Sequence, residues 1–451
     1  MNPYNLLKAK SKLKSVTLSS ASIKKQVLAV IGTLGIVLVI LMLHFHEIKV
    51  WVDEIGVSLN RCDDTHRYEG FSQSRVDKSG ACRFTSLHKN TTHASPRVLY
   101  YNTHAGTREN MKGVMQSLGM HLDEFNSDIV AHVGNTGRRS RQLIREGHAA
   151  WVCRNYDVVI IADTIPHGRQ LFESWLHPDP RKHCGSKIIL EMTNRFDWDV
   201  TDKFTYYANL RKIIATTHNR LYFVSNNNAE FAWLQDKLGI KVSGLKHILR
   251  PLGLSKSYEY PSFLPAPSKS ALLSKSEYFP HLYKTMEKDY NLSLTLIPEH
   301  ERKYGGPATL LQFKGFLEFP YQYSVMKFYE NIAYGVPQYI PSSRLLKQIL
   351  NGGKRACSHC ARVEALEGFV GRFDIPVRTL DRWSGFMDFY DPLFEPFVYY
   401  FDSFKELERI DGMSWLDADW KRVREKGPQF YHSYRKEILD GWRNVFGEVL
   451  G

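Results

Sequence analysis

The sequence lacks the short motifs that mark several large enzyme classes. It contains no phosphate-binding loop of the G-x-x-x-x-G-K-[ST] form, no G-x-G-x-x-G dinucleotide fingerprint, no G-x-S-x-G turn and no H-E-x-x-H helix. These absences argue against P-loop nucleotide hydrolysis, NAD-dependent oxidoreduction, serine hydrolysis and zinc proteolysis. Internal repeats are absent as well, which argues against a solenoid or a propeller.

Groups of metal-binding residues are also scarce. Cys357 and Cys360 form one C-x-x-C pair, but a structural zinc site needs about four ligands and no second cluster lies at a fitting distance. Asp417 and Asp419 have the D-x-D form that some metal-dependent transferases use at a strand end. Ser414 precedes them as a helix N-cap, so we expect both acids in the first turn of a helix, where they favour the dipole. The sequence therefore predicts no metal site.

Positive charge is concentrated at the start of the chain. The 451 residues carry a net charge of +13, of which residues 1–26 supply +6 without one acidic residue. The remaining +7 is spread without a basic block, so the sequence predicts no nucleic-acid partner. With 43% hydrophobic and 24% charged residues, the chain is predicted to be globular and long enough for two domains.

Val27–Phe45 is predicted to be a transmembrane anchor. It contains no Lys, Arg, Asp or Glu, and 19 residues reach about 28 Å as a helix, close to the thickness of the hydrocarbon layer. The lysine-rich segment precedes it, while Glu47, Asp53 and Glu54 follow it. The positive-inside rule then places residues 46–451 across the membrane, as in a single-pass type II protein.

All six cysteines lie on the predicted luminal side, where oxidising conditions favour disulfides. Local pairing is the simplest of the 15 possible connectivities. It would form the pairs Cys62–Cys82, Cys153–Cys184 and Cys357–Cys360. Two sequons, at Asn90 and Asn291, are usable for N-glycosylation on the same side.

Apolar runs alternate with helical stretches in the first half of the chain, which predicts an α/β fold with a doubly wound parallel sheet. The runs are Arg97–Asn102, Tyr156–Ala162, Lys187–Met192 and Arg220–Ser225. Ligands of such sheets bind outside the carboxyl ends of the strands. Polar residues follow all four ends: Thr103, His104, Asp163, Thr164, Asn194, Arg195, Asp197, Asn226 and Asn227. We interpret them as a functional rim, although turn chemistry explains any single one of them.

A second signal lies at residues 324–341, SVMKFYENIAYGVPQYIP. Its apolar residues recur at helical spacing, with Ser324 as the expected N-cap, Gly335 as the C-cap and Val336–Ile340 as a following strand. The N-terminus of such a helix offers N–H groups to a diphosphate, and Glu330 farther along can accept hydrogen bonds from ribose hydroxyls. An ordinary amphipathic helix with one solvated Glu would give the same pattern.

This stretch resembles the donor-binding half of GT-B glycosyltransferases, whose pattern is roughly E-x7-E followed by a small-residue turn, G-V-P and a strand. Residues 330–337, ENIAYGVP, match its second half, while Gln322 stands where the first acid is expected. Glu318 lies four residues before that position. His247–Leu254 resembles the strand and Pro-Leu-Gly turn that end the N-terminal domain of these enzymes.

The resemblance implies two Rossmann-like, doubly wound domains that face each other across a cleft. The expected order is a cytosolic tail at 1–26, the anchor at 27–45, a luminal stem at 46–95, an acceptor domain at 96–255, a donor domain at 256–428 and a closing helix at 429–451. The implied protein is a glycosyltransferase of the Golgi or ER membrane. It would move a sugar from a nucleotide-sugar to a glycan, glycoprotein or glycolipid, without a metal or a bound cofactor.

The resemblance also assigns roles to individual residues. Glu330 would hold the ribose, and Lys314 or Arg250 would balance the charge of the diphosphate. The other residues expected at the donor are Gln322, Tyr323 and Ser324. If the reaction inverts the sugar, His104 or Asp197 would act as the base. Asn194, Arg195 and Asn226 would form the acceptor rim.

Two other functions stay open on the sequence. Gln322 in place of the family's acid favours a catalytically inactive, membrane-anchored binding or scaffold protein with the same fold. A luminal transferase for another group, such as sulfate, would need a phosphosulfate-binding loop near the first strand, and residues 103–107 are a poor candidate for one.

Overall fold

The structure is a computed structural model that describes the greater part of residues 95–253 and 313–451. The described residues are 74–76, 82–84, 95–102, 104–125, 136–217, 219–240, 246–253, 269–272, 282, 285–286, 288–289, 295–296, 311, 313–351, 384–407 and 416–451. The chain divides into two units, Met1–Cys82 and Arg83–Gly451. Strands β1 (Ser74–Val76) and β2 (Cys82–Phe84) precede the part discussed below, which belongs to the second unit.

The predicted anchor and both sequons lie outside the described residues. Within the ranges just given, no helix has the length and apolar character needed to cross a membrane.

The first sheet has six parallel strands, which confirms the predicted α/β architecture for this part of the chain. Its strands are β3 (Val98–Tyr101), β4 (Leu122–Phe125), β5 (Val158–Ala162), β6 (Lys187–Met192), β7 (Leu221–Ser225) and β8 (Lys246–Ile248). They lie side by side in the order β4-β3-β5-β6-β7-β8. Every residue of β3, β5 and β7 is buried, because helices cover both faces of a sheet of this kind.

Within the described residues, six α-helices connect these strands. They are α1 (Ala105–Leu118), α2 (Gly137–Glu146), α3 (His148–Arg154), α4 (Arg169–Glu173), α5 (Lys203–Thr216) and α6 (Asn228–Leu238). Short 3₁₀ turns occupy Ile165–Gly168, Ser174–Leu176 and Pro180–Lys182. Two of the polar residues at strand ends begin helices: His104 accepts from the N–H of Thr107, and Asn227 accepts from the N–H of Glu230. Part of the predicted rim therefore serves as N-caps.

The second sheet has five parallel strands, and they form a second α/β layer as the resemblance implied. The strands are β9 (Lys269–Leu272), β10 (Thr295–Leu296), β11 (Phe313–Leu317), β12 (Gln338–Pro341) and β13 (Val398–Phe401), in the order β10-β9-β11-β12-β13. Helices α7 (Met326–Ala333), α8 (Ser343–Asn351) and α9 (Leu416–Leu450) accompany them, with 3₁₀ turns at Ser384–Phe386, Asp388–Tyr390 and Glu395–Phe397.

Strand β11 begins later than the sequence predicts. The sequence favours a strand at 308–313 that leads to Lys314 and Gly315, whereas Gly315 lies inside the observed strand. The ring of Tyr339 on β12 packs over this glycine, and a Cβ there would lie 1.9 Å from Tyr339 Cε2. Gly315 thus serves close packing between neighbouring strands, not a turn. The shift moves the carboxyl end of β11 to Glu318.

The long helix α9 begins at Leu416, before the expected start of the closing helix at 429, and it contacts elements of both sheets. Tyr434 donates to Pro251 O at 2.8 Å, and Tyr431 donates to Leu252 O at 2.9 Å. Near its end, Glu448 Oε2 lies 3.0 Å from the imidazole of His247. The same helix packs along α7.

A disulfide between Cys153 and Cys184 joins the end of α3 to the segment before β6. This confirms one of the three local pairs predicted from the sequence. The other two pairs involve side chains outside the described residues. The carbonyl oxygen of Cys184 accepts from Trp175 Nε1 at 2.8 Å and from Arg220 at 2.7 Å, so the bridge ends in a well-bonded turn.

Removing this bridge is expected to lower the free energy of unfolding by about 2–4 kcal/mol, because it closes a chain segment of 31 residues in the unfolded state. The variant is Cys153→Ala/Cys184→Ala, measured by urea unfolding. A variant that unfolds at the midpoint of oxidised wild type would show that the bridge adds no stability.

Candidate functional site

Glu318 and Glu330 come together where β11 ends and α7 runs past it. Glu318 follows β11 directly and is only 4% exposed, and its Oε2 has no hydrogen-bond partner among the described residues. Burial, with the negative charge of Glu330 as a second cause, raises the pKa of Glu318 to about 8. Glu318 lies four residues before the expected acid, directly after the last residue of β11, Leu317.

Glu330 lies on α7 and is paired with Lys327 one turn earlier. Both side chains are largely buried, with 20% of Glu330 and 16% of Lys327 exposed. Burial lowers the pKa of Lys327, and the charge of Glu330 opposes that shift. A carboxylate is therefore held at the position where the resemblance places the ribose ligand.

The start of α7 differs from the prediction that Ser324 caps it. Val325 occupies the N-cap position, and its side chain makes no capping hydrogen bond to the first turn of the helix. Ser324 Oγ lies 3.3 Å from the hydroxyl of Tyr329, so it joins a buried hydrogen-bond network in place of the cap. The N–H of Phe328 donates to the carbonyl oxygen of Val325 at 3.1 Å, so the N-cap residue of α7 contributes its backbone and no side-chain cap.

The Pro-Leu-Gly turn after β8 packs directly against α7. Gly253 has a φ of +83°, and a Cβ there would lie 2.9 Å from the backbone N of Glu330. The side-chain oxygen of Asn110 on α1 accepts from the N–H of Leu252 at 2.8 Å and from that of Gly253 at 3.3 Å. Glycine is required at this position both by the positive φ and by the close approach.

Arg250, expected near the donor phosphates, is bound by two carboxylates. Its Nε donates to Asp388 Oδ1 at 3.1 Å, and its Nη2 donates to Asp391 Oδ2. Asp388 also accepts from the hydroxyl of Tyr329. The guanidinium of Arg250 lies 5.3 Å from the ring centre of Phe394. Arg250 therefore ties the turn after β8 to the segment that precedes β13.

Arg195 joins the predicted rim to the predicted donor residues. Its Nη2 donates to the hydroxyl of Tyr323 at 3.1 Å, and its guanidinium lies 4.4 Å from the ring centre of Trp233. Tyr323 directly follows Gln322 in the loop before α7, and Gln322 is half-buried. The structure thus brings together a residue that follows β6 and a residue that precedes α7.

The two predicted bases differ in their surroundings. Asp197 is 2% exposed and accepts from the hydroxyl of Tyr207 and from Trp233 Nε1 at 2.9 Å, with Lys203 Nζ at 3.6 Å. Its carboxylate therefore holds Trp233, the ring on which Arg195 lies. His104 is exposed, and its Nδ1 accepts from the N–H of Thr107 at 3.4 Å. Of the two, His104 has the accessible ring.

The remaining predicted rim residues make local contacts. Asn194 accepts from the N–H of Arg195 at 2.9 Å, and Asn226 accepts from Asn227 Nδ2 at 2.9 Å. Asp163 has a φ of +58° at the end of β5, where Thr164 donates to it at 3.1 Å. Lys314 lies on β11, but its side chain and the whole of Thr103 are outside the described residues.

A buried pair below the rim was not predicted. Glu191, on β6, accepts from the hydroxyl of Tyr100 on β3 at 2.8 Å. Burial raises the pKa of Glu191 to about 8, and the charge of Asp163 adds to the effect. The one signal in the sequence was a Glu inside the otherwise apolar run KIILEM. With its pKa raised to this value, the carboxyl group of Glu191 is mostly protonated at pH 7.

Within the described ranges, no cluster of three or more His, Cys, Asp or Glu side chains that could hold a metal ion occurs. Helix α9 begins at Leu416, so the backbone places Asp417 and Asp419 in a first helical turn, as predicted. Cys357 and Cys360 lie outside the described residues.

No family model matches the chain, and no curated protein matches it. Among solved structures, it is similar to the glycosyltransferase SnogD from Streptomyces nogalater, with 10% identity, a TM-score of 0.34 and coverage of 77% of this chain and 99% of SnogD. A putative UDP-N-acetylglucosamine 2-epimerase from Listeria monocytogenes gives 9% identity, a TM-score of 0.33 and coverage of 65% and 91%. Another structure of a UDP-N-acetylglucosamine 2-epimerase has 9% sequence identity and a TM-score of 0.31. The similarity covers 65% of this chain and 90% of that epimerase. At these TM-scores the similarities carry no argument about this chain.

Proposed function

We propose that this protein is a membrane-anchored, luminal glycosyltransferase of the Golgi or ER. It would transfer a sugar from a nucleotide-sugar to a glycan, glycoprotein or glycolipid, without a metal ion. The observation that carries the proposal is the arrangement at α7. A helix whose N-cap residue, Val325, makes no side-chain cap follows the carboxyl end of a parallel strand, carries Glu330 and packs on the Gly253 turn after the first sheet.

In this proposal α7 binds the donor. The N–H groups of its first turn stabilise the diphosphate as its negative charge develops, and Glu330 accepts hydrogen bonds from the ribose. Lys314, on β11, remains the candidate cation for the diphosphate, because the guanidinium of Arg250 is bound by Asp388 and Asp391. Ser324 loses its proposed capping role and supports Tyr329 instead.

The acceptor side of the proposal rests on the ends of β3 and β6. If the reaction inverts the anomeric configuration of the sugar, His104 takes the proton of the attacking hydroxyl, since its imidazole is exposed at the start of α1. Asp197 acts through Trp233 and Arg195, which it positions, and so is not the base in this scheme. Arg195 and Tyr323 would then close the side of the site that faces the donor.

The second candidate is a membrane-anchored scaffold that keeps the fold without catalysis. Gln322 at the position of the family's first acid favours it, and so does the engagement of Arg250 by two carboxylates. A scaffold of this kind would not bind nucleoside diphosphates.

A thermal-shift panel of nucleoside diphosphates, with and without Mn²⁺, tests the proposal. A nucleotide at about 100 times its dissociation constant should stabilise the full chain by about 2.7 kcal/mol, without a need for metal. Glu330→Ala should abolish the shift, because the ribose loses its acceptor. Glu437→Ala, at an exposed position on α9, should keep it. No shift with any nucleotide would reject the transferase and favour the scaffold.

A further inference from the structure

Helix α2 places three arginines on one exposed face. Arg138, Arg141 and Arg145 are spaced three and four residues apart, so their side chains project from the same side of the helix. All three are exposed, while Gly137, Ser140, Leu143 and Ile144 form the buried side. Among the described residues, no carboxylate lies within ion-pair distance of these three guanidinium groups.

Lys182 extends this face at the end of α2. Its Nζ donates to the carbonyl oxygen of Arg145 at 2.9 Å, which brings a fourth cation beside the third arginine. The nearby acids have partners of their own: Glu146 accepts from Gln142 at 2.7 Å, and Asp179 is paired with Arg181. The expectation of no basic block outside the N-terminal tail is wrong here, because residues 138–145 read RRSRQLIR and the fold adds Lys182 beside them. We call Arg138, Arg141, Arg145 and Lys182 the α2 basic face.

The spacing of the charges suits a chain of repeated anions. Along a helix, three and four residues correspond to about 4.5 Å and about 6 Å, so the three arginines span about 10 Å. Each guanidinium can bind a carboxylate or a sulfate through two parallel hydrogen bonds. One small anion would occupy one arginine only, whereas an extended polyanion can engage the whole row.

The composition of α2 favours an acidic glycan over a single-stranded nucleic acid. The helix GRRSRQLIRE contains no aromatic residue, and single strands are held by bases that stack on aromatic rings as well as by charge. A polysaccharide with carboxylate or sulfate groups offers charge without such a requirement.

The face begins beside the segment that carries the rim. The N–H of Gly137 donates to Asp202 Oδ2 at 3.1 Å, and Asp202 also accepts from Arg169 at 2.7 Å. Asp202 is the N-cap residue of α5 and follows the segment 194–199, which holds Asn194, Arg195 and Asp197. An extended chain lying on the basic face can therefore continue toward that segment.

We propose that the α2 basic face binds an acidic polysaccharide chain, and that this chain is the class of acceptor on which the protein acts. The binding itself is independent of the proposed transferase function, whereas the role as acceptor rests on it. The chemistry of the ligand is a linear glycan with carboxylate or sulfate groups on successive residues.

The test measures the affinity of the full chain for heparin, polygalacturonate and single-stranded DNA over a range of NaCl concentrations. Arg138→Gln/Arg141→Gln/Arg145→Gln should weaken glycan binding at least tenfold and reduce the salt dependence of log Kd by about three. The matched control, Lys426→Gln/Lys436→Gln/Arg443→Gln, removes the same charge from exposed positions on α9 and should leave the affinity within twofold. Both variants keep the lysine-rich N-terminal segment.

Equal losses in both triple variants would overturn the proposal, because they would show attraction to net charge alone. Tight binding of DNA that the α2 substitutions weaken as strongly as glycan binding would overturn it in favour of nucleic acid. If the triple variant does not fold, Arg141→Gln alone tests the same proposal. It should weaken the affinity for the glycan threefold to fivefold. The nucleotide thermal shift separates the two proposals. Glycan binding without any thermal shift by nucleotides would support the α2 basic face as a glycan site and reject the transferase. A nucleotide shift without glycan binding would support the transferase and reject the glycan site.

Discussion

Arg250→Met is expected to lower the free energy of unfolding by about 3–5 kcal/mol, because it leaves a buried carboxylate without its counter-charge. The side chain of Asp388 is 4% exposed and that of Arg250 is 19% exposed. Burial already raises the pKa of Asp388, and the charge of Arg250 opposes that shift. Without the guanidinium, Asp388 must either stay charged in a poor solvent or take up a proton.

Met is the appropriate replacement because it keeps much of the packing of the arginine stem. The guanidinium of Arg250 lies 5.3 Å from the ring centre of Phe394, and a thioether can occupy the same space. Most of the loss should therefore be electrostatic. It should shrink as the pH falls toward 5, because protonation of Asp388 removes the uncompensated charge.

Urea unfolding at pH 7 and pH 5 measures this effect. Adding Asp388→Asn to Arg250→Met should restore part of the lost stability, since the two residues form one interacting pair. The control is Arg443→Met, which breaks an exposed pair with Asp440 and should cost at most about 1 kcal/mol. A loss in Arg250→Met no larger than in this control, at both pH values, would show that Arg250 does not neutralise Asp388.

The strands that the sequence predicts well are those buried on both faces. VVIIA at 158–162 and LYFVS at 221–225 are apolar without interruption, because a central parallel strand has no solvent-facing side. Strand β4, LDEF at 122–125, was missed for the opposite reason. It lies at the edge of the sheet and is half-buried throughout. Its acids pair with cations outside the strand, among them Asp123 with Arg97 at 3.2 Å.

The candidate site depends on contacts that no local pattern contains. Asp388 lies 138 residues after Arg250, and Leu252 lies 142 residues after Asn110, so the sequence shows that these residues are polar or small without showing their partners. The sequence places Gly315 after the strand because its neighbour across the sheet, Tyr339, cannot be identified from the sequence. That single error in register concealed the place of Glu318.

The polar residues at strand ends had a second, local explanation. Asn227 caps α6 and His104 caps α1, so the alternation of strands and helices alone requires polar residues at these points. Arg195 and Asp197 do not cap helices, and the contacts of Arg195 with Tyr323 and of Asp197 with Trp233 carry the argument for a site. The polar residues that follow the strand ends thus include both helix caps and candidate functional residues.

Stability is expected to fall as the pH rises from about 4.5 to about 8, because two buried carboxyl groups keep their protons in the folded state. The pKa of Glu191 and the pKa of Glu318 are both raised from 4.5 to about 8. Between these values the folded state binds a proton that the unfolded state has released, so each group lowers the free energy of unfolding by about 1.4 kcal/mol per pH unit. The stabilisation is fully present below the unfolded-state pKa of 4.5, and it is lost as the pH rises through the folded-state pKa of about 8.

Glu191→Gln and Glu318→Gln should each remove one such contribution. A glutamine keeps an acceptor for the hydroxyl of Tyr100 but binds no proton, so either variant should gain about 4–5 kcal/mol over wild type between pH 4.5 and pH 8. Urea unfolding at four pH values measures the difference between the curves. Glu437→Gln, at an exposed position, should give a curve parallel to wild type.

Glu330→Gln distinguishes the two groups. The negative charge of Glu330 is a cause of the raised pKa of Glu318, whereas the corresponding charge for Glu191 is that of Asp163. Removing the charge of Glu330 should therefore lower the pKa of Glu318 and end its pH-dependent loss of stability at a lower pH. The contribution of Glu191 should stay unchanged. The pH dependence of stability in the double variant Glu318→Gln/Glu330→Gln should equal that of Glu318→Gln alone. A curve for Glu330→Gln parallel to wild type throughout would mean that Glu318 and Glu330 do not interact across the end of β11.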